Sequence, residues 1–191
     1  MIKDKHELKY YLTCDKIAMS RTGKPKLGDS IWKFLIALRK HEYYRNCKDK
    51  NLLAIYWHVK FKLLSEKLGF SIPINVCGPG LALMHYGNII ISDHAKIGCN
   101  CKIHVGVNIG TSAGKQEYPQ IGNNVYIGPG AKIIGGVRIA DNSVIGANAC
   151  VVKNCEPSGN TWGGVPARLI SQNDSSIHLI KATEIYTYAK K

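Results

Sequence analysis

The chain has 191 residues, 45% of them hydrophobic and 8% aromatic, with a formal net charge of +13. That apolar share offsets the ordering entropy of folding, which excludes a wholly disordered chain, and the length suits one core or one domain with a small cap. The longest apolar runs, such as Ile31–Leu38, are broken by Lys or Arg well short of the roughly 18 residues a membrane span needs, and the first residues interleave charge with apolar groups, unlike a secretory leader.

The N-terminal third reads as helical and basic. Residues 1–70 hold 16 Lys and Arg against 7 Asp and Glu, a balance of +9, whereas residues 71–171 carry +3 and residues 172–191 carry +1. Asp4–Met19, Asp29–Cys47 and Asn51–Leu68 place apolar residues at mixed spacings of three and four, as amphipathic helices do. Asp29 or Ser30 suits an N-cap before Ile31, Gly69 suits a stop after Leu68, and Arg21-Thr-Gly-Lys-Pro25 is a turn-rich break. Tyr43, Tyr44, Tyr56, Trp57 and Phe61 interleave with the cations. Nucleic-acid surfaces share that pattern, but packed helices with solvated Lys faces produce it more often, and no nucleic-acid motif accompanies it. The expectation is therefore no nucleic-acid partner, with a peripheral contact between these basic helices and an anionic membrane left open.

The middle of the chain repeats every six residues. Ile91, Ile97, Ile103, Ile109, Ile121, Ile127, Ile133, Ile139, Ile145 and Val151 form one series, broken only at Lys115. Four residues after each comes a small or slim side chain: Ala95, Cys101, Val107, Ala113, Val125, Ala131, Val137, Ser143, Ala149 and Cys155. A period of six fits neither an α-helix nor a long alternating strand. It fits short strands joined by tight turns, stacked so that Ile covers Ile.

On this repeat the chain resembles the hexapeptide-repeat acyltransferases. The resemblance implies a mainly β fold, a left-handed parallel β-helix with an α-helical N-terminal cap. It implies a division into helices at 1–70, the β-helix at 71–170 and a C-terminal extension at 171–191. Three further segments are similar to the serine acetyltransferase branch and its relatives that acetylate capsule or exopolysaccharide: Leu83-Met-His85-Tyr-Gly87, Ile103-His-Val-Gly-Val-Asn-Ile-Gly110, and the closing Gly163-Gly-Val-Pro-Ala-Arg168. Thr111–Gln120 matches the branch's protruding loop. The likeness implies an acetyl-CoA donor, a hydroxyl acceptor and a homotrimer with the reaction in the cleft between coils. Three departures stand out. Met84 precedes the His where the branch has Asp, the position of the Asp that orients that His in the branch falls at about Phe70, and the loop reads Glu117-Tyr118-Pro119 instead of Arg-His-Pro. Glu117 would repel an amino-acid carboxylate, so a sugar hydroxyl is the favoured acceptor, serine the alternative, and a non-catalytic β-helix scaffold the reading from another class.

The chemistry itself asks for few groups. An alcohol attacking a thioester needs a base that ionises near neutral pH, which is a histidine's role, and the oxyanion formed needs preorganised donors, for which turns around Gly87 and Gly106–Gly110 are candidates. The expected catalytic residues are His85 as general base, His104 as acceptor-binding or orienting group, and Asp93 as the partner that fixes the His tautomer or holds an acceptor hydroxyl. His94 reads as a surface residue. For the coenzyme the candidates are Gly130, Ala131, Lys132, Lys153 and Arg168. Trp162 reads as a cap on the last coil or, less favoured, an adenine platform. Cys101 and Cys155 fall at inward small positions and read as packing atoms; the odd cysteine count of 7 suits a cytoplasmic protein without disulfides, and no metal is expected. Ile177, Leu179, Ile180, Ile185 and Tyr186 make the tail too apolar to be plain disorder, so it should pack on something.

Overall fold

The computed structural model describes residues 1–47 and 51–188. Helix α1 (Lys5–Ala18) starts where the Asp4 side chain accepts from the Glu7 N–H; α2 covers Ser30–Cys47; α3 (Leu52–Leu68) is capped by the Asn51 side chain and stopped by Gly69 at φ 74°. Gly69 closes α3 because only a residue without Cβ takes this left-handed turn at little cost. Asp29 behaves differently from a cap. Its carboxylate accepts from the Lys26 N–H and pairs with Arg21, which organises the preceding turn.

From Phe70 the chain winds into a triangular parallel coil. One face stacks Phe70–Ser71, Ile89–Ile91, Asn108–Gly110, Lys132–Ile134 and Cys150–Val151; a second stacks Lys96–Ile97, Gln120–Ile121 and Arg138–Ile139. The third runs Ala82–Leu83, Lys102–Ile103, Tyr126–Ile127, Val144–Ile145 and Thr161–Gly163, and closes with the antiparallel strand Arg168–Ser171. Ile91, Ile97, Ile103, Ile109, Ile121, Ile127, Ile133, Ile139, Ile145 and Val151 all lie in these strands and all are buried. Ile97 stacks on Ile121 across the excursion at 111–119, so Ala113 and Lys115 sit exposed on that loop and contribute nothing to the ladder. The coil also begins earlier than the strict period suggests, with Cys77 bridged to Ile97 and Leu83 paired with Ile103.

One corner is held by an amide ladder. Asn100 donates to Asn124 at 2.8 Å, and Asn124 donates to Asn142 at 3.0 Å. All three have φ between 55° and 57°, a left-handed conformation that Asn tolerates better than most residues.

Helices and coil share one core. Phe34, Leu35, Leu38 and Phe61 belong to the same buried cluster as the isoleucine ladder. A buried ionic clamp fixes the register between them. Arg39, wholly buried, donates from Nε to Asp15 at 2.7 Å, from Nη1 to Glu42 at 3.1 Å and to the Cys77 carbonyl at 2.8 Å, and from Nη2 to the Gly78 carbonyl at 2.7 Å. Asp15 accepts in turn from the Gly80 and Leu81 N–H groups, and Glu42 from that of Asn75. The C-terminal extension packs within the same chain. Ser175 bonds to the Asn124 carbonyl, Asn100 to Thr183, and Tyr186 of α4 (Ala182–Tyr188) lies 5.3 Å from Tyr10 of α1.

The helices depart from the expected solvated Lys faces in one place. The outer side of α3 is apolar, with Leu52, Ile55, Tyr56, Val59 and Leu63 all exposed.

Candidate active site

The site is built on a single corner of the coil. Eight residues separate Leu83 from Ile91, where the later rungs without a loop use six. The extra pair widens the turn, and His85 and Tyr86 project outward, both exposed. The next rung on that corner carries His104 to Gly106, and the one after it Gly128 to Gly130. Backbone bonds tie the stack together: Gly106 N–H to the Asn88 carbonyl at 2.7 Å, Gly130 N–H to the Val105 carbonyl at 2.9 Å, and Asn148 N–H to the Pro129 carbonyl at 2.8 Å. Gly146 N–H reaches the Trp162 carbonyl, and Cys150 N–H that of Gly164. From His85 to Gly163 the corner is thus five rungs, and with strands spaced about 4.8 Å apart it extends about 19 Å.

His85 and His104 face each other with ring centroids 6.1 Å apart, and Tyr126 backs His104 at 5.1 Å. His104 Nε2 is buried without a partner. Burial, with smaller contributions from Lys102 and His85, holds the His104 imidazole below the ordinary histidine value. It therefore stays neutral at neutral pH and puts no positive charge beside His85. Lys102 is occupied elsewhere, donating to the His178 carbonyl at 2.8 Å.

Of the coenzyme candidates, Gly130, Ala131, Lys132 and Arg168 fall on this corner or its edge. Gly130 has φ 74°, Ala131 is buried, and Lys132 donates to the Gly106 carbonyl at 2.5 Å. Arg168 is paired across from Gly163 at the far end and is exposed. Asp93 and Lys153 do not join them. The strands Ile89–Ile91 and Cys150–Val151 each run between the His85 corner and the next one, so both residues sit on the following corner, beside the loop at 111–119. Asp93 is exposed and bonds to its neighbour His94 at 2.6 Å, which lowers the Asp93 pKa. Within this chain it therefore does not orient His85. Two expected oxyanion donors are also engaged, since the Gly87 N–H bonds to the Leu68 carbonyl and the Gly106 N–H to that of Asn88. Trp162 packs against the core at the last rung, with Nε1 buried and unpartnered.

Cys14, Cys101 and Cys155 are buried packing groups. Burial pushes the Cys101 and Cys155 thiols up to about 12 and the Cys14 thiol up to about 11, values that leave negligible thiolate at neutral pH. Among the described residues no group of three or more His, Cys, Asp and Glu is placed to hold a metal ion.

The helical cap supplies residues that the motif pattern does not reveal. A cleft of about 360 Å³ beside His85 is lined by Arg21, Asp29, Lys67, Leu68, Met84 and Tyr86, among others. Arg21 is partly engaged with Asp29 at 3.3 Å, while Lys67 is exposed. No described residue of the loop at 111–119 lines this cleft; Glu117 packs on Gly136 and Tyr118 stacks on His94 at 4.6 Å. The expected repulsion from Glu117 thus does not arise inside one chain, and cations stand where none was expected. The sequence signal for them is slight: Gly69 ends α3 directly before the first coil strand, which forces Lys67 close to the next turn.

A triangular coil of six-residue rungs with a histidine corner defines a hexapeptide-repeat transferase, and similarities to known proteins agree. Residues 118–153 match the family model described as bacterial transferase hexapeptide (six repeats). A serine acetyltransferase of Staphylococcus xylosus is 35% identical over 156 residues, covering 78% of this chain and 66% of that protein. One from Staphylococcus epidermidis is 31% identical over 156 residues, covering 78% of this chain and 67% of its own length. Among solved structures, the serine acetyltransferase of Neisseria gonorrhoeae in complex with serine superposes with a TM-score of 0.64 at 27% identity, over 87% of this chain and 70% of that one. The chain belongs to the hexapeptide-repeat acyltransferases, in their serine acetyltransferase-like branch, and its coil is the left-handed β-helix of that family.

Proposed function

We propose that this protein is an acetyl-CoA-dependent O-acetyltransferase with L-serine as its acceptor. The observation that carries the reading is the meeting of exposed His85 with Arg21, Lys67 and Asp29 in one cleft: a base beside cations and a carboxylate offers partners for both charged ends of an amino-acid alcohol. The similarity to serine acetyltransferases supports the same acceptor over the sugar hydroxyl that Glu117 favours on sequence grounds. In the reaction His85 takes the proton of the serine hydroxyl as its oxygen attacks the thioester carbonyl. The tetrahedral oxyanion then collapses, the carbon–sulfur bond breaks, and the CoA sulfur leaves with the proton returned from His85. Base catalysis of this kind contributes about 10²–10⁴-fold. His104 acts as a positioning residue, and Arg21 and Lys67 hold the acceptor carboxylate.

The coenzyme lies along the corner, with its pantetheine over Gly130 and Ala131 and its phosphates toward Lys132 and Arg168. The small side chains there permit close approach. Assembly as a homotrimer would set the Asp93 corner and Lys153 of one copy against the His85 corner of the next. Seven free thiols suit a reducing compartment, which supports a cytoplasmic location.

A sugar hydroxyl is the second reading. Tyr86, 75% exposed beside His85, offers the aromatic face that sugar rings stack on. Release of CoA thiol from acetyl-CoA, with L-serine and with glycan acceptors in parallel, tests both. Turnover that needs serine is the expected result. Turnover with a glycan alone would transfer the assignment to the second reading, and none with any acceptor would favour a non-catalytic scaffold.

A further inference from the structure

Helix α3 is apolar on two opposite sides. Ala54, Phe61, Leu64 and Leu68 face the core, buried or half-buried. Opposite them, Leu52 is 83% exposed, Ile55 61%, Tyr56 51%, Val59 48% and Leu63 62%. At about 100° per residue these five share an arc of about 100° on the outside of the protein. A surface helix ordinarily keeps that side polar. A continuous apolar strip rimmed by polar groups marks a contact surface.

The rim identifies what the strip contacts. Lys60 and Lys67 flank one edge and Lys62 the other; Glu66, the single acid of the helix, falls in the same arc one turn beyond Leu63 and ends the strip there. Lys60 also donates to the Tyr56 hydroxyl at 3.1 Å and sits 5.1 Å from the Trp57 ring centre, with Lys40 5.4 Å from the same ring. Aromatic rings and lysine stems stacked at the edge of an apolar strip are the arrangement of a helix lying in a lipid headgroup layer. A second copy of the chain suits the strip less well, because pairing two strips sets lysine rim against lysine rim with one glutamate on each side. An anionic bilayer satisfies both the apolar strip and its cations. No helix among the described residues is long and apolar enough to cross a membrane, so the contact is peripheral.

We infer that α3 docks this protein on an anionic membrane surface, with Leu52, Ile55, Tyr56, Val59 and Leu63 inserted among the headgroups and Lys60 and Lys62 on lipid phosphates. Lys67, at the edge of the strip, lines the His85 cleft, so the docked face adjoins the site.

The test is co-sedimentation of the full chain with phosphatidylcholine vesicles made with and without phosphatidylglycerol. Binding is expected only with the anionic lipid and should weaken as salt is added. The double variant Val59→Gln/Leu63→Gln should reduce binding about tenfold or more. Lys60→Gln and Lys62→Gln should each reduce it about fivefold. Both sets should leave the thermal midpoint unchanged, since the altered side chains are at or near the surface. Failure of the parent to bind anionic vesicles at low salt would overturn the inference, as would variants that bind like the parent. A parent that ignores vesicles but halves in mass by light scattering on Val59→Gln/Leu63→Gln would show that a second copy covers the strip.

Discussion

The coil and the helical cap solve the burial problem in opposite ways. The coil repeats one operation: an aliphatic residue at every sixth position covers the one below, and no rung depends on a unique contact. The cap depends on a few singular contacts. Its helices meet the coil through shared apolar packing and one buried arginine with two carboxylates, and they carry most of the net positive charge. A repeated ladder spreads its stability over many equivalent contacts, whereas the clamp concentrates it in one. The proposed site lies between them, with a histidine on a widened coil turn and cations from the cap.

Substitutions in each region put this contrast at risk. The largest effect is expected in the cap, from Arg39→Ala. It leaves Asp15 and Glu42 buried without their cation, and removal of one partner from such a cluster costs about 3–5 kcal/mol; chemical denaturation would read it. In the coil, Ile127→Ala should cost about 2–5 kcal/mol, and the same change at Ile133 a similar amount, because the rungs are equivalent. A loss at one rung much larger than at the other would defeat the picture of a uniform ladder. Asn124→Ala should cost about 1–3 kcal/mol, from lost amide bonds and a strained left-handed backbone, and Asn124→Gly less than Asn124→Ala.

The smallest effect concerns pH. His104 has its pKa lowered in the folded chain, so the unfolded chain takes up a proton first as pH falls. Stability from this residue is complete above the ordinary histidine value. It is lost progressively below that value until the lowered folded pKa is passed. His104→Gln should flatten that part of the stability profile, as followed by thermal melts across the acid range. An unchanged profile would remove His104 from the account of the corner.

The coil is legible in the sequence because one inward position recurs at fixed spacing, and Gly69 and Asn51 make α3 legible because caps are local chemistry. The first turn of the coil is less visible. Its spacing is stretched around His85, and that stretching is what projects the histidine outward. Asp93 groups with His85, and Lys153 with the coenzyme residues, on sequence grounds because position along the chain does not reveal which corner a turn occupies; the count of strands between them does. The Arg39 clamp and the Lys67 contact join residues far apart in sequence, and a mixed spacing of three and four in α3 cannot separate two apolar faces from one.

The central claim is that the corner bearing His85 performs base-catalysed acetyl transfer. It is tested most directly by following CoA thiol release from acetyl-CoA with L-serine for the parent and for His85→Ala, each first checked for an unchanged thermal midpoint. A loss of about 10²–10⁴-fold in kcat, with the fold intact, is the predicted result. Turnover by His85→Ala at the parent's rate would contradict it.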